Sequence, residues 1–393
     1  MPLVTLRGKA AIVGIGEIKP TRTPEGKTSL GIMAEAARLA MIDAGLRPQD
    51  IDGVLVGAPL VEAGSIWPSI VSEYLQLRPT YGNLVDLGGA SACGMVWRAA
   101  AAIEAGFCHT VLCVTGEAAD VEAFYTPRGG PPSTLPWREF ETPYGPMGVN
   151  SGYALIAQRH MYEYGTTSQQ LAKIAVDQRT NACANPDALF YEQPLTLDDV
   201  LSSPLIVDPL HLLEIVLPCT GGAALVVTAA DRARDGAPPP VLLLGAGEAL
   251  SHNIVAYAPN ITTSPIAVTA PKAFAMAGIT PGDIDLVSVY DCYTITVLVT
   301  LEDAGFCPKG RGGPFVEEND LTYRGNLPVN THGGQLSYGQ PGLAGGMSHV
   351  TEAVRQLQGR AGERQVPNCE LAFVNGNGGI MSEEVSLVLG RAA

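Results

Sequence analysis

Charge is scarce in this chain. Asp, Glu, Lys and Arg together make up 16% of its 393 residues, against 46% hydrophobic residues. That balance suits a large buried core of α/β character, and the length allows two or three domain-sized units. Positive charge is the scarcer sign, with 24 Lys and Arg against 39 Asp and Glu, a net charge of −15. A phosphate backbone needs a basic surface, so nucleic-acid binding is not expected. A phosphorylated small ligand in a local basic pocket remains compatible. No apolar run approaches the ~18 residues of a membrane span. The apolar part of MPLVTLRGKAAIVGIG is too short for a signal peptide. The eight cysteines are scattered and form no C-x-x-C pair, which speaks against a zinc ribbon and for a reducing cytoplasm. The six histidines show no H-E-x-x-H spacing, so no metal site is expected.

Turn-formers, by contrast, are plentiful. The 45 glycines and 30 prolines are spread along the chain and form no low-complexity tract. They also punctuate a repeat. Residues 36–57, AARLAMIDAGLRPQDIDGVLVG, read as a helix, a Gly stop, a Pro turn and an apolar strand. Residues 272–291, KAFAMAGITPGDIDLVSVYD, repeat that order. A shift of 233 positions lays Gly45 on Gly278, Pro48 on Pro281 and Asp50-Ile51-Asp52 on Asp283-Ile284-Asp285. Upstream of each copy stands an apolar strand with G-x-G-E, AAIVGIGE at 10–17 and VLLLGAGE at 241–248. GIGEIK lacks the third glycine of a dinucleotide fingerprint, so these segments read as tight strand-end turns.

Internal repetition of this kind divides the chain into two α/β halves, 1–235 and 236–393, separated by the linker in TAADRARDGAPPP. The first half carries an insert at about 117–205 with no counterpart in the second. It is rich in Pro, Gly, Tyr and Trp through YTPRGGPPSTLPWREFETPYGP and turns helical around SGYALIAQRHMYEYG. So long an insert reads as a functional cover or an interface element, with a surface embellishment as the plainer alternative.

GGASACGMVW, residues 88–97, looks like a nucleophile elbow, a small-residue turn feeding an apolar helix. Together with the two halves and the Gly-rich NGNGG at 375–379, it makes the chain resemble the thiolase superfamily, and within it the sterol-carrier-type thiolases. The likeness runs through YALIAQRHMYEYGTTSQQLAKIAV (153–176), CTGGAALVVTAADRA (219–233) and VNTHGGQLSYGQPGLAGG (329–346). The resemblance implies a layered αβαβα core built from duplicated halves. Its catalytic positions, however, are altered. Thiolases carry C-x-S-G or C-x-T-G at the elbow. Laid on SACG, the family's cysteine falls on Ser91 and its Ser/Thr on Cys93. Two positions on a helix turn a side chain by roughly 200°, so Cys93 reads as a packing thiol. Ser91 points the right way but is a poor nucleophile without an adjacent base.

The activating residues are replaced as well. The family's H-D-C-F is Tyr290-Asp291-Cys292-Tyr293 here, its G-H-P is Gly339-Gln340-Pro341, and NGNGG holds no cysteine. What the resemblance leaves is a non-covalent acyl-CoA site. Backbone N–H groups of Ser91 and Gly378 would form an oxyanion hole. Tyr290 and Tyr338 would serve as acid/base and alkoxide-stabilising groups, since a phenol can exchange a proton with an alkoxide. Asp291, His332 and Gln340 are candidate supporting residues. The alternatives are a buried strand tyrosine for Tyr290, loop packing for Tyr338, a structural histidine for His332, and packing or capping for His349.

This pattern matches the thiolase-like aldolases of bacterial steroid side-chain degradation. It implies retro-aldol cleavage of a β-hydroxyacyl-CoA to a ketone plus acetyl- or propionyl-CoA, with no cofactor beyond the CoA of the substrate. It further implies a homodimer and an OB-fold/zinc-ribbon acyl-CoA-binding partner in the cytoplasm. Two other readings compete. One is a non-catalytic thiolase-like binding subunit, against which stand tyrosines where inert aliphatics would do. The other is a thiolase or acyltransferase using Ser91 or a displaced Cys93, against which stands the loss of both histidines.

Overall fold

The computed structural model describes residues 5–62, 64–125, 135–145, 148–233 and 238–392. The boundary expected at 235/236 lies outside the described residues, as do positions 126–134 and 146–147 of the insert. Nine strands of the described chain form one sheet: β1 (Ala10–Thr21), β2 (Gly53–Gly57), β3 (Tyr81–Leu84), β4 (Thr110–Glu117), β5 (Thr220–Ala229), β6 (Val241–Leu250), β7 (Leu286–Val289), β8 (Leu371–Gly378) and β9 (Glu383–Arg391). Their order is β3-β2-β4-β5-β1-β6-β9-β8-β7. The order shows the duplication directly. Reading outward from the centre, β1-β5-β4-β2 in the first half matches β6-β9-β8-β7 in the second. The halves join at a short antiparallel contact, Ala11 with Leu242 and Ile12 with Val241.

Period-two alternation sorts the strand side chains into layers. In β4, Leu112 and Val114 pack with α1 (Ser29–Asp43) on one face. Val111 and Cys113 pack with α2 (Ser91–Glu104) on the other. In the second half, Phe373 and Val388 pack with α5 (Ile266–Ala277), while Ala372, Val374 and Leu387 face the centre. There they meet α2 and its counterpart α7 (Ala344–Leu357), which are sandwiched between the two half-sheets. The result is the expected αβαβα layering. The insert contributes α3 (Val149–Tyr164) and α4 (Ser168–Cys183), and α3 packs against the second half beside α6 (Thr294–Asp303).

The repeated turn is built twice by the same chemistry. Gly45 and Gly278 end their helices at φ of +65° and +71°, which glycine adopts without steric cost. Asp50 then accepts from Arg47 N–H, and Asp283 from Thr280 N–H, each closing a short 3-10 turn around a proline. The G-x-G-E segments differ from expectation: they lie inside β1 and β6, not at strand-end turns. Their glycines are there for helix approach. A Cβ at Gly14 or Gly16 would sit 2.3 or 2.1 Å from a backbone carbonyl of α1. At Gly245 or Gly247 it would sit 2.0 or 2.2 Å from a carbonyl of α5. Among the described residues no helix is long and apolar enough to cross a membrane.

Candidate active site

Three chain segments converge where the strands of both halves end. Strand β7 delivers Tyr290-Asp291-Cys292-Tyr293, fixed by parallel pairing to β8 and by Tyr290 N–H donating to Asn375 C=O at 2.9 Å. Strand β8 delivers Asn377 and Gly379. The elbow delivers Gly88 and Gly89. A fourth segment, 215–218, closes the site by bridging Tyr293 on one side and Gln340 on the other. Together with Val149 and Tyr153 of α3, these residues enclose a cavity of about 110 Å³. Its lining is apolar or carries uncharged hydrogen-bonding groups: three tyrosines, Cys292, Gln340 and Asn377.

Tyr290 requires a glycine at position 89 of the elbow. A Cβ at Gly89 would lie 2.2 Å from the Tyr290 ring, and one at Gly346 would lie 2.1 Å from Gly89 C=O. The Tyr290 phenol oxygen accepts from Gln340 Nε2 at 3.2 Å. Burial, and then the neighbouring Cys292, push the phenol well above its ordinary value, while the Gln340 hydrogen bond works in the other direction. Gln340 is held in place because Asp291 fixes the loop leading to it. The buried Asp291 carboxylate accepts from Gln335 N–H at 2.7 Å and Leu336 N–H at 3.1 Å, and lies 3.2 Å from His349 Nε2. Gly334 leaves room for that carboxylate, since a Cβ there would meet Asp291 Oδ2 at 2.1 Å. His349 also reaches Ser288 Oγ through Nδ1 at 3.2 Å, so it is part of the same buried support.

Other predicted residues are placed elsewhere. Tyr338 is buried against Ala182 and Ala188, and burial, then the nearby Glu17 charge, raises its phenol; it does not line the cavity. His332 lies beside Tyr338, with ring centroids 5.3 Å apart and the planes tilted by 58°, and its Nε2 is 3.3 Å from Ser348 Oγ. Burial, followed by its neighbour His349, holds its imidazole well below the ordinary range, so it is neutral. Ser91 Oγ donates to Gly88 C=O at 2.6 Å and accepts from Leu87 N–H at 2.9 Å, which makes it a tie within the elbow. The Ser91 N–H is also taken by Gly88 C=O, at 3.1 Å. Of the two glycine turns, Gly89 and Gly379 reach the cavity, where the sequence pointed to Ser91 and Gly378. Cys93 lies in the central core, its thiol pushed up to about 12 by burial and then by Glu384.

Sequence reasoning passed over Tyr153, Cys292 and Asn377. Cys292 adjoins the altered tetrapeptide's tyrosine and was within reach of that motif. Burial pushes its thiol up to about 12. Asn377 is the polar residue inside NGNGG. Tyr153, on the insert helix, had no signal, because its partners lie more than 130 residues away. Its hydroxyl donates to Gly379 C=O at 3.0 Å and accepts from Asn377 Nδ2 at 2.8 Å.

A thiolase C-terminal domain-like family matches residues 247–391. A steroid side-chain-cleaving aldolase of Thermomonospora curvata is 35% identical over 90% of this chain and 91% of its own. A 17-hydroxy-3-oxo-4-pregnene-20-carboxyl-CoA lyase of Mycobacterium tuberculosis is 33% identical, covering 90% and 92%. An acetyl-CoA acetyltransferase of Methanothermobacter thermautotrophicus is 35% identical, covering 88% and 91%. Among solved structures, the Ltp2-ChsH2(DUF35) aldolase superposes with a TM-score of 0.88 at 33% identity, covering 99% of both chains. Full-length likeness at these identities, on a duplicated αβαβα core with its site at the elbow, establishes that the chain belongs to the thiolase superfamily.

Proposed function

We propose that this chain is a CoA-thioester retro-aldolase that cleaves a β-hydroxyacyl-CoA bearing a steroid ring system. The products are a ketone and acetyl- or propionyl-CoA. The observation that carries this reading is the Tyr290–Gln340 pair in an otherwise uncharged cavity. An amide N–H cannot accept a proton, so Gln340 is no substitute for a basic histidine. It can donate to a phenolate and stabilise it. Tyr290 in that form takes the proton of the β-hydroxyl. The Cα–Cβ bond then breaks, its electron pair passing into the thioester as an enolate, and the carbinol carbon becomes the ketone. Tyr290 returns the proton to Cα, so no proton is gained or lost overall. Burial raises the phenol toward the basicity of an alkoxide, which lessens the mismatch for this exchange.

The enolate oxygen is held by the backbone amides of Gly89 and Gly379, the two turn glycines that line the cavity. The turns approach so closely that a Cβ at Gly88 would stand 3.0 Å from Gly378 Cα, which supports a preorganised seat. Tyr338, with His332 behind it, acts through the loop that carries Gln340. The reaction needs no acyl-enzyme, in keeping with a Ser91 hydroxyl tied into the elbow and a Cys93 thiol buried in the core.

The likeness to an aldolase solved with a DUF35 protein supports an OB-fold/zinc-ribbon partner for this chain, and the thiolase resemblance supports a homodimer. The test is mass spectrometry of steroid β-hydroxyacyl-CoA thioesters incubated with the chain, alone and co-expressed with such a partner. Ketone plus short acyl-CoA is expected, and Tyr290→Phe should cut the rate by about 10²–10⁴-fold. The acyltransferase reading gains support if a free thiol is acylated and no ketone forms.

A further inference from the structure

Asn377 lines the cavity, is 1% exposed, and its Oδ1 has no hydrogen-bond partner. A buried acceptor left unpaired is costly, so it marks a place where a ligand donor is due. The orientation of the amide is not arbitrary. Tyr153 has one proton and Gly379 C=O can only accept it, at 3.0 Å. The Tyr153 oxygen must therefore accept from Asn377, at 2.8 Å, which assigns Nδ2 to that side. Oδ1 is left as the free end.

We infer that Asn377 is a specificity residue whose Oδ1 accepts a hydrogen bond from the substrate's β-hydroxyl, and that Tyr153 is the positioning residue that fixes this orientation. The inference rests on the retro-aldolase reading and deepens it. An acceptor at this point favours a β-hydroxyacyl thioester over its deoxy or β-keto analogues, which offer no donor there. A hydroxyl proton turns freely about its C–O bond. The group held by Asn377 on binding can thus rotate to Tyr290 for transfer. Once the ketone forms, the donor is gone and two acceptors face each other, which favours release of the ketone.

The experiment measures binding by calorimetry on the full chain carrying Tyr290→Phe, which does not consume the ligand. The probes are a 17-hydroxysteroid 20-carboxyl-CoA thioester and its 17-deoxy analogue. The hydroxy thioester should bind roughly 10- to 100-fold more tightly. Asn377→Ala should bring the ratio close to one; it also removes the Nδ2 hydrogen bond to Tyr153, so the melting temperature should fall modestly, and an unchanged circular-dichroism spectrum and cooperative melting show that the variant is folded. Tyr153→Phe should lower the ratio by freeing the amide to flip, an effect that packing alone would not produce. A ratio near one in the parent, or one that survives Asn377→Ala, overturns the inference. Turnover by the unmutated chain is scored separately. Cleavage without a hydroxyl preference sinks this inference and leaves the aldolase; preference without cleavage does the reverse.

Discussion

Tyr290 sets the pH behaviour expected of this site. Its phenol is raised above the ordinary value by burial, so the phenolate is a small fraction throughout the neutral range. For a reaction that uses the phenolate, log kcat/KM should climb with pH up to at least pH 9, with no plateau near neutrality. Gln340→Leu removes the N–H that favours the phenolate. It should lower kcat/KM about tenfold at a given pH without changing that slope. A histidine-like plateau near pH 6–7 would assign the base elsewhere. Cys93 makes the opposite prediction. It is a core thiol raised to about 12, beside the backbone of Gly376, and carries no reactive thiolate near neutral pH. Cys93→Ala should keep most of the activity while costing about 1–2 kcal/mol of stability from the lost packing, read from urea denaturation. Loss of activity in a well-folded Cys93→Ala would revive a covalent mechanism.

At the scale of elements, the G-x-G-E strands are the tightest fit in the fold. Each glycine lies under a helix whose backbone carbonyl would stand near 2 Å from an added Cβ. Gly247→Ala should therefore force α5 away from β6 and β9 and destabilise the protein by about 1–3 kcal/mol or more. Gly148 has open space around it and an ordinary negative φ. Gly148→Ala should be near neutral in the same melting experiment and serves as the control. This contrast separates helix approach from a general intolerance of glycine replacement. It also explains why these strands resemble nucleotide-binding turns at first sight, since both use glycine for close backbone approach, one to phosphate and the other to a helix.

Across the whole molecule, a buried ionic network ties the halves together. Glu17 on β1 pairs with Arg355 on α7 at 2.6 Å, and Glu352 pairs with Arg364 at 2.8 Å. Burial alone would raise the Glu352 carboxyl, but the Arg364 charge and hydrogen bonds hold it down at about 2. A carboxyl held below its unfolded value stabilises the fold above that value, and the benefit is lost as pH falls toward 2. Stability should thus decline between about pH 4.5 and pH 2. Arg364→Met leaves Glu352 buried and unpaired, and should cost about 3–5 kcal/mol at neutral pH. A variant as stable as the parent at pH 7 would show that the Glu352–Arg364 pair does not hold this part of the second half together.

The same division by scale describes what the sequence alone determined. Gly45 and Gly278, the Pro turns and the paired G-x-G-E strands all act over a few residues, so their repetition announced the two halves, and the thiolase resemblance implied the layered core. The elbow register was equally local: counting from Gly94 placed Ser91 over the family's cysteine and turned Cys93 into the core. The cavity was another matter. Tyr338 and Gln340 are two residues apart on a loop where Gly339 takes φ of +136° and Gly342 +51°. Through such backbone reversals no spacing rule says which side chain faces inward, and tertiary packing sent Gln340 to Tyr290 and Tyr338 to Glu17. Asn377 gained its free acceptor only because Tyr153, 224 residues earlier in the chain, claims the other end of its amide. The sequence names both residues, but only folding puts the hydroxyl of one against the amide of the other.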